Sequence, residues 1–303
     1  MILCGTLASH WSMAHLGANV WLNIRILIIP ATEERRQKGV HMSEKKMRIL
    51  SIINLKGGVA KTITSVVFAY ILAVVFGYRV LLVDNDKQGD ASRQLRRRST
   101  DRKGIEEIML SRKADMKRLI QKTEYENLDI ITANMKLLKA NLEVMLDQQR
   151  PQQNRLEKAL ASVAGEYDFC IIDNAPDINI STINALVASD DVIVPLEIDD
   201  NTTEGLPELV EQVENVKEDL NEHLTFRGCL VTKFDGQNEA HVQGEELLRV
   251  GEYPVFDSHI RVSKKVSEST FNREPVFLYS RRSAASMDYL KAVKEYLEML
   301  GIM

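Results

Sequence analysis

Residues 54–62, Asn54-Leu-Lys-Gly-Gly-Val-Ala-Lys-Thr62, lie between an apolar strand pattern at 48–54 and a helical pattern at 61–76. A glycine-rich turn between a buried strand and a helix directs backbone amides and the positive end of the helix dipole toward an anion. Lys61 adds a charge for the β- and γ-phosphates of a nucleotide, and Thr62 adds a hydroxyl for Mg²⁺. The stretch therefore predicts a phosphate-binding loop.

The strict phosphate-loop pattern GxxxxGK[ST] is not met, because Leu55 and Ala60 occupy its two glycine positions. The alternative interpretation is a Gly-Gly turn that leaves Lys61 exposed without a ligand. The position of Lys61-Thr62 at the mouth of a helix, directly after a buried strand, favours the phosphate loop.

Short apolar runs alternate with helical patterns from residue 48 onward. The predicted strands are residues 48–54, 80–84, 128–132, 169–173, 192–196 and 229–234. The predicted helices are residues 61–76, 114–122, 136–147, 154–163, 206–224, 239–250 and 284–300. This alternation predicts an α/β fold with a mostly parallel central sheet covered by helices on both faces. Such a sheet binds ligands at the carboxyl ends of its strands.

Carboxylates occur where two of these strands end. Asp84 and Asp86 follow the second strand, and Asp173 ends the strand at residues 169–173. At the carboxyl edge, an aspartate can orient Mg²⁺ or position a nucleophilic water. A single aspartate in such a place is usually only a loop residue, but three of them beside one phosphate loop indicate a site.

Composition excludes several classes of protein. The 303 residues are 45% hydrophobic and 27% charged, with a net charge of −4, which excludes a disordered chain and a globally basic one. The three cysteines are widely spaced and form no CxxC, which disfavours a disulfide framework or a zinc site and favours a reducing cytoplasm. The longest apolar stretch, residues 66–77, is too short to span a bilayer and predicts a buried core helix.

Residues 1–46 differ from the rest of the chain. They hold both tryptophans, show no sustained hydrophobic period and end in a polar run. They lack the basic start of a signal peptide. Met42 and Met47 precede the first strand, so two interpretations stay open: an N-terminal appendage, or translated sequence upstream of a later start. The remaining residues, 47–303, are expected to form one domain built around the phosphate loop.

Three motifs resemble those of the ParA/MinD ATPases. Residues 56–62 look like the deviant Walker A motif, residues 83–89 (Val-Asp-Asn-Asp-Lys-Gln-Gly) the second motif, and residues 172–176 (Ile-Asp-Asn-Ala-Pro) the Walker B motif. Residues 182–186, 204–206 and 232–235 continue the likeness in order. The resemblance covers residues 47–300 and implies a P-loop NTPase-like fold that hydrolyses ATP with Mg²⁺.

The resemblance also implies roles for individual residues. Lys56 is the signature lysine that reaches the nucleotide of a partner subunit, Lys61 binds the phosphates, and Asp86 positions the attacking water. Thr62 binds Mg²⁺, and Asp84 and Asp173 hold it through its waters. The nucleotide-binding residues are Lys56, Gly57, Gly58, Val59, Ala60, Lys61, Thr62 and Ile63.

The chain departs from the family pattern at three places. Ala60 replaces a usual glycine, Lys87 a usual proline, and Asn174-Ala175 a usual Thr-Pro. A methyl group at Ala60 would crowd the phosphates if the backbone there has a positive φ. These departures put the turnover rate in question more than nucleotide binding.

Two basic segments are candidate DNA surfaces. Residues 93–122 carry eleven basic and four acidic residues, and residues 261–282 carry six basic and two acidic residues. Such patches give sequence-independent affinity through phosphate contacts, although each could also be a solvated loop. Because ParA proteins bind DNA near the C-terminus, the resemblance favours the second segment. Its predicted DNA-binding residues are Arg261, Lys264, Lys265, Arg281 and Arg282.

Residues 197–222 form an acidic segment, with ten acidic residues against Lys217 alone. A solvated helix face explains this charge without any partner. In ParA systems such a face would receive the basic arm of a ParB-like centromere-binding protein.

The resemblance implies a cytoplasmic, nucleoid-associated partition ATPase. ATP would drive formation of a homodimer that binds DNA non-specifically, and a ParB-like partner would stimulate hydrolysis to move a plasmid or chromosome. A MinD-like ATPase that positions a membrane system is the alternative, but the C-terminal segment lacks a dense basic face. A metal carrier would need paired cysteines, and Lys56 disfavours a small-molecule ligase.

Overall fold

The computed structural model of the chain describes residues 47–199 and 202–303, with the backbone alone for residues 202–204. The predicted appendage at residues 1–46 lies outside the described residues. Asp200 of the acidic segment also lies outside them.

Seven strands and twelve helices form within the described residues. The strands are β1 (Arg48–Ile52), β2 (Val80–Asn85), β3 (Ile120–Lys122), β4 (Leu128–Ile131), β5 (Phe169–Asn174), β6 (Asp191–Glu197) and β7 (Thr225–Thr232). The helices are α1 (Lys61–Tyr70), α2 (Asp90–Gln94), α3 (Ile105–Leu110), α4 (Met116–Leu119), α5 (Lys136–Leu146), α6 (Arg155–Ala161), α7 (Ile180–Ala188), α8 (Thr202–Asp219), α9 (Glu239–Arg249), α10 (Lys264–Asn272), α11 (Val276–Tyr279) and α12 (Ala284–Met299).

The strands form one sheet in the order β3-β4-β2-β5-β1-β6-β7. Every neighbouring pair is parallel except β3 with β4, which is antiparallel. This confirms the predicted mostly parallel sheet. β1 lies between β5 and β6, so the loop that follows it emerges at the centre of the carboxyl edge.

Apolar side chains project from both faces of the sheet, as expected for strands with continuous apolar runs. Leu50 and Ile52 of β1 pack with α1 and α12 on one face. Ile49, which precedes Leu50, joins the cluster of α3, α5, α6 and α7 on the other face. Alternate residues of a strand point to opposite faces, so each strand contributes to two cores.

The helix after the predicted phosphate loop is buried, as predicted. Val66 through Ala73 are all at most 6% exposed. α1 continues into a π-helical turn at Ile71–Val75, so the helical path ends close to the predicted residue 76. Within the part of the chain that the structure describes, no helix is long and apolar enough to cross a membrane.

The predicted helix at residues 114–122 is wrong in its second half. Only Met116–Leu119 is helical, and Ile120–Lys122 pairs with β4 as β3. β4 would otherwise be an edge strand with unpaired backbone groups, and β3 covers that edge. The buried Gln121 side chain reinforces the pairing, because its amide donates to Thr132 Oγ1 at 3.1 Å.

Five helices were not predicted from the sequence: α2, α3, α7, α10 and α11. All five have nine residues or fewer, a length over which the helical period is hard to see. β7 also begins at Thr225, four residues before its predicted start. Its first residues are only partly buried, so they lack the continuous apolar signal of the other strands.

Candidate active site

The loop between β1 and α1 has two residues in the left-handed backbone region. Gly58 has φ 81° and Ala60 has φ 65°. Ala60 caps α1, and its carbonyl accepts the first helical bond from Thr64 N at 2.9 Å. A Cβ built on Gly57 or Gly58 would meet no atom within 4 Å, so the loop faces open space. An anion can therefore approach the backbone of this turn.

Ala60 has the positive φ at which its methyl group would crowd the phosphates. Its positive φ places a methyl group on a backbone conformation that L-residues adopt at a cost of about 1–2 kcal/mol. The glycine that is usual in the family avoids this cost.

Lys61 lies almost buried at the start of α1. Its ammonium donates to the Lys56 carbonyl at 2.6 Å, so the side chain folds back along the loop. Burial lowers the pKa of Lys61, while the charges of Asp173, Asp86 and Asp177 act in the opposite direction. The Lys61 side chain thus lies along the loop that is predicted to bind phosphate.

Asp84 and Asp173 are direct neighbours on β2 and β5, and both are fully buried. Asp84 accepts bonds from the Ser92 amide at 2.8 Å and the Ser92 hydroxyl at 2.5 Å. Ser65 Oγ donates to Asp173 Oδ1 at 2.9 Å. Burial raises the pKa of both carboxyls, and the charge of Asp84 raises the pKa of Asp173 further.

These residues fit a divalent cation. Asp173 Oδ2 is buried and has no hydrogen-bond partner, and the nearby Thr62 side chain lowers the pKa of the same carboxyl, against the effect of burial. Carboxylate and hydroxyl oxygens are the hard ligands that Mg²⁺ prefers. A cation beside the pair would favour the charged form of both carboxyls and so lower the pKa values that burial raises.

Lys56 and Asp86 flank this centre. The Lys56 amide donates to Asn54 Oδ1 at 2.9 Å, and its ammonium forms an ion pair with Asp199 in the loop after β6. Asp86 Oδ1 accepts the Gln88 amide at 2.9 Å, which holds the loop after β2 in a tight turn. The signature lysine is therefore engaged within its own chain.

The two other departures from the family pattern have partners. Lys87 Nζ lies 3.5 Å from Asp177, so an ion pair joins the loops after β2 and β5. The Asn174 amide donates to Ile52 O at 3.2 Å and to Ser51 Oγ at 3.3 Å. Asn85 Nδ2 in turn donates to Asn174 Oδ1 at 2.8 Å. Asn174 thus joins the ends of β1, β2 and β5 behind the loop.

The structure places all predicted nucleotide and metal residues at one edge of the sheet. Residues 56–63, Asp84, Asp86 and Asp173 are contributed by β1, β2, β5 and the segments that follow them. The sequence analysis missed Ser65 and Ser92, which hold the two buried carboxylates. Serine carries no spacing signal of its own, so only the fold reveals their role.

The five residues predicted to bind DNA lie elsewhere and differ among themselves. Arg261 forms a bidentate pair with Asp288 at 2.8 Å, and Lys265 contacts Glu268 at 2.7 Å. Lys264, Arg281 and Arg282 are exposed, and none of them has a carboxylate within salt-bridge distance among the described residues. The structure thus leaves three of the five cations available.

A family model described as an AAA domain matches residues 47–226. The sporulation initiation inhibitor protein Soj of Bacillus subtilis is 37% identical over 249 residues, covering 82% of this chain and 97% of Soj. The chain belongs to the ParA/MinD superfamily. The chromosome partitioning protein ParA of Caulobacter vibrioides is 35% identical, covering 84% of this chain and 96% of that protein.

A solved structure gives a third comparison. Cobyrinic acid a,c-diamide synthase of Mycobacterium smegmatis, with a bound ATP analog and magnesium, is 26% identical with a TM-score of 0.73. The match covers 84% of this chain and 96% of that one. These relatives confirm the superfamily inferred from the three motifs and the P-loop fold.

Proposed function

We propose that the chain is a Mg²⁺-dependent partition ATPase. In this proposal it dimerises on ATP, binds DNA without sequence preference and is stimulated by a ParB-like centromere-binding protein. One observation carries the ATPase part: the open loop of residues 56–62 lies beside two buried carboxylates, one of which has an unpartnered oxygen. The similarity to the chromosome partitioning protein ParA supports the partition role.

In this proposal the loop amides and Lys61 bind the phosphates of ATP. On binding, the Lys61 ammonium exchanges the Lys56 carbonyl for phosphate oxygens, which are stronger, charged acceptors. Thr62, Asp84 and Asp173 would hold Mg²⁺, and the ion would neutralise the charge on the transferred phosphoryl group. Ser65 and Ser92 keep the two carboxylates in position.

Asp86 positions the attacking water in this proposal. The charge of Asp86 raises the pKa of Lys61, which supports a position near the phosphate-binding loop. Lys56 completes the site of a second subunit when two chains face each other across their loops. Its ion pair with Asp199 has to be exchanged for that contact, because one ammonium cannot reach both partners at full strength.

DNA contact is assigned to Lys264, Arg281 and Arg282, because Arg261 and Lys265 already have carboxylate partners. Exposed cations of this kind neutralise phosphates without reading the base sequence. The Arg281 guanidinium carbon lies 5.6 Å from the centroid of the Phe277 ring, a cation–π contact that orients this exposed side chain.

The acidic segment is assigned to the ParB-like partner. Glu208, Glu211 and Glu218 line the exposed side of α8, while Leu209 and Val213 face the core. Glu197 and Glu214 are paired with Lys233 and Lys217, so they contribute less to the field of this surface. A basic peptide arm fits such a face.

Two other functions compete with partition. A MinD-like protein needs a C-terminal helix free to bind a membrane, but α12 buries Tyr289 and Tyr296 in the core and Tyr296 donates to Asp191 at 2.8 Å. A small-molecule ligase is favoured only by the similarity to the diamide synthase. The chromosome partitioning protein ParA has a higher sequence identity to this chain at the same coverage, which favours partition.

The deciding experiment is a gel shift on unrelated duplexes with ATP, with ADP and without nucleotide, run beside an ATPase assay. We expect retention of DNA only with ATP, of equal strength for each duplex, and loss of both activities in Lys61→Ala. DNA binding that ignores nucleotide, or no ATP hydrolysis, would overturn the proposal.

A further inference from the structure

A cavity of about 470 Å³ lies between the C-terminal end of α3 and the helix α6, and basic side chains line it. Its cations are Arg112, Lys113, Arg150, Arg155 and Lys158. No carboxylate is among the lining residues described by the structure. The volume falls in the range of small-ligand pockets, roughly 300–1,000 Å³.

The cavity is separate from the phosphate loop. α3 begins where Ile105 N donates to Thr132 O at 2.9 Å, beyond the carboxyl end of β4, and the cavity lies at its other end. α6 leads into β5 at Phe169, the amino end of that strand. No residue of the loop at 56–63 lines the cavity, so a ligand there would not occupy the ATP site.

The positive charges of the cavity are only partly balanced. Asp147 accepts bonds from Arg150 Nε at 2.6 Å and from Arg155 Nη2 at 2.9 Å. Arg155 also donates to the Met109 carbonyl at 2.6 Å, so its guanidinium is fixed in place. A single carboxylate thus serves two of the five cations.

The other three cations, Arg112, Lys113 and Lys158, are exposed at the rim. Among the described residues, no carboxylate lies within salt-bridge distance of any of them. The cations around the cavity repel each other, and a bound anion would offset that repulsion by attracting each of them. The arrangement is therefore favourable for a ligand with more than one negative charge.

We infer that this cavity binds a phosphate ester, at a site distinct from the ATP loop. Arginine forks match phosphate oxygens in bidentate geometry, and lysines add point charge. The phosphate can come from a free ligand of nucleotide size or from a DNA backbone. The inference does not depend on the proposed partition function.

The test uses Arg112→Ala together with Lys158→Ala, because both side chains are exposed without carboxylate partners. The matched control is Lys139→Ala, whose lysine pairs with Glu143 on the neighbouring α5. Every protein in the test is the full chain carrying Lys61→Ala, which is expected to disable the phosphate loop. Calorimetry measures the binding of inorganic pyrophosphate to this parent, to the parent with Arg112→Ala and Lys158→Ala, and to the parent with Lys139→Ala. Thermal melting checks that every variant is folded.

We expect the double substitution Arg112→Ala with Lys158→Ala to weaken pyrophosphate binding at least about tenfold, and we expect Lys139→Ala to leave it unchanged. A short duplex is the second probe: a loss confined to DNA identifies the backbone as the phosphate source. Equal affinities of pair and control for both probes would overturn the inference. ATP hydrolysis that survives Lys61→Ala would instead refute the proposed active site, so the two failures are distinguishable.

Discussion

Replacing Ala60 with glycine tests the strained position of the phosphate loop. The left-handed backbone at φ 65° costs an alanine about 1–2 kcal/mol, and glycine avoids that cost. Glycine loses about 0.5–1 kcal/mol more in conformational entropy on folding. The net expectation is a stabilisation of about 0.5–1 kcal/mol, or about 1–4 °C in Tm for a domain of this size.

The same change should speed turnover, because it removes a methyl group from the backbone that faces the phosphates. Arg273 gives a matched control, since it has φ 57° at the end of α10 and lies outside the loop. Arg273→Gly should raise Tm by a similar amount and leave hydrolysis unchanged.

The measurements are a thermal melt without nucleotide and a steady-state phosphate-release assay with ATP. If Ala60→Gly melts at or below the parental temperature while Arg273→Gly rises, the strain assigned to the loop is wrong. If both variants gain stability and neither changes kcat/KM, Ala60 is strained but does not limit the reaction.

Four further predictions concern the site, the DNA surface and the core. Lys61→Ala should abolish ATP binding measured by calorimetry, because it removes the charge that faces the phosphates; parental affinity would refute the loop. Asp86→Ala should slow hydrolysis and accumulate an ATP-bound dimer in size-exclusion chromatography, and parental turnover would exclude its role with water. Arg281→Glu with Arg282→Glu should weaken ATP-dependent binding to all duplexes alike and shallow the salt slope by roughly 0.9 per lost contact. Asp191→Ala should cost about 3–5 kcal/mol in urea unfolding, because Arg48 and Arg227 would lose their buried carboxylate.

The parallel sheet and the position of its site could be predicted because both depend on local signals. The strands are continuous apolar runs, and Lys61, Asp84 and Asp173 lie where such runs end. Parallel strands share one carboxyl edge, so residues far apart in the chain could be placed together without coordinates.

The missing parts depend on contacts between distant segments. Asn85 with Asn174, and Lys56 with Asp199, are pairs across different strands, and no local period predicts them. Arg261 pairs with Asp288, which lies outside the basic segment at residues 261–282. The charge of that segment alone therefore gives no sign that Arg261 is neutralised. β3 was mistaken for helix because the need to cover the β4 edge is invisible in nine residues of sequence.

The order of strands in the sheet has a consequence for synthesis on the ribosome. Of the strands that the structure describes, β1 is made first, and its neighbours β5 and β6 are made more than a hundred residues later. At roughly 5–20 residues per second, the strand that carries the phosphate loop waits on the order of ten seconds for both partners. Tyr296 of α12 is made later still, and its hydroxyl donates a hydrogen bond to Asp191, which also accepts one from Arg48. The apolar side chains of β1 thus lack both neighbouring strands until β6 has been made at Glu197, about two thirds of the way along the chain, and this is the interval in which a chaperone would be needed.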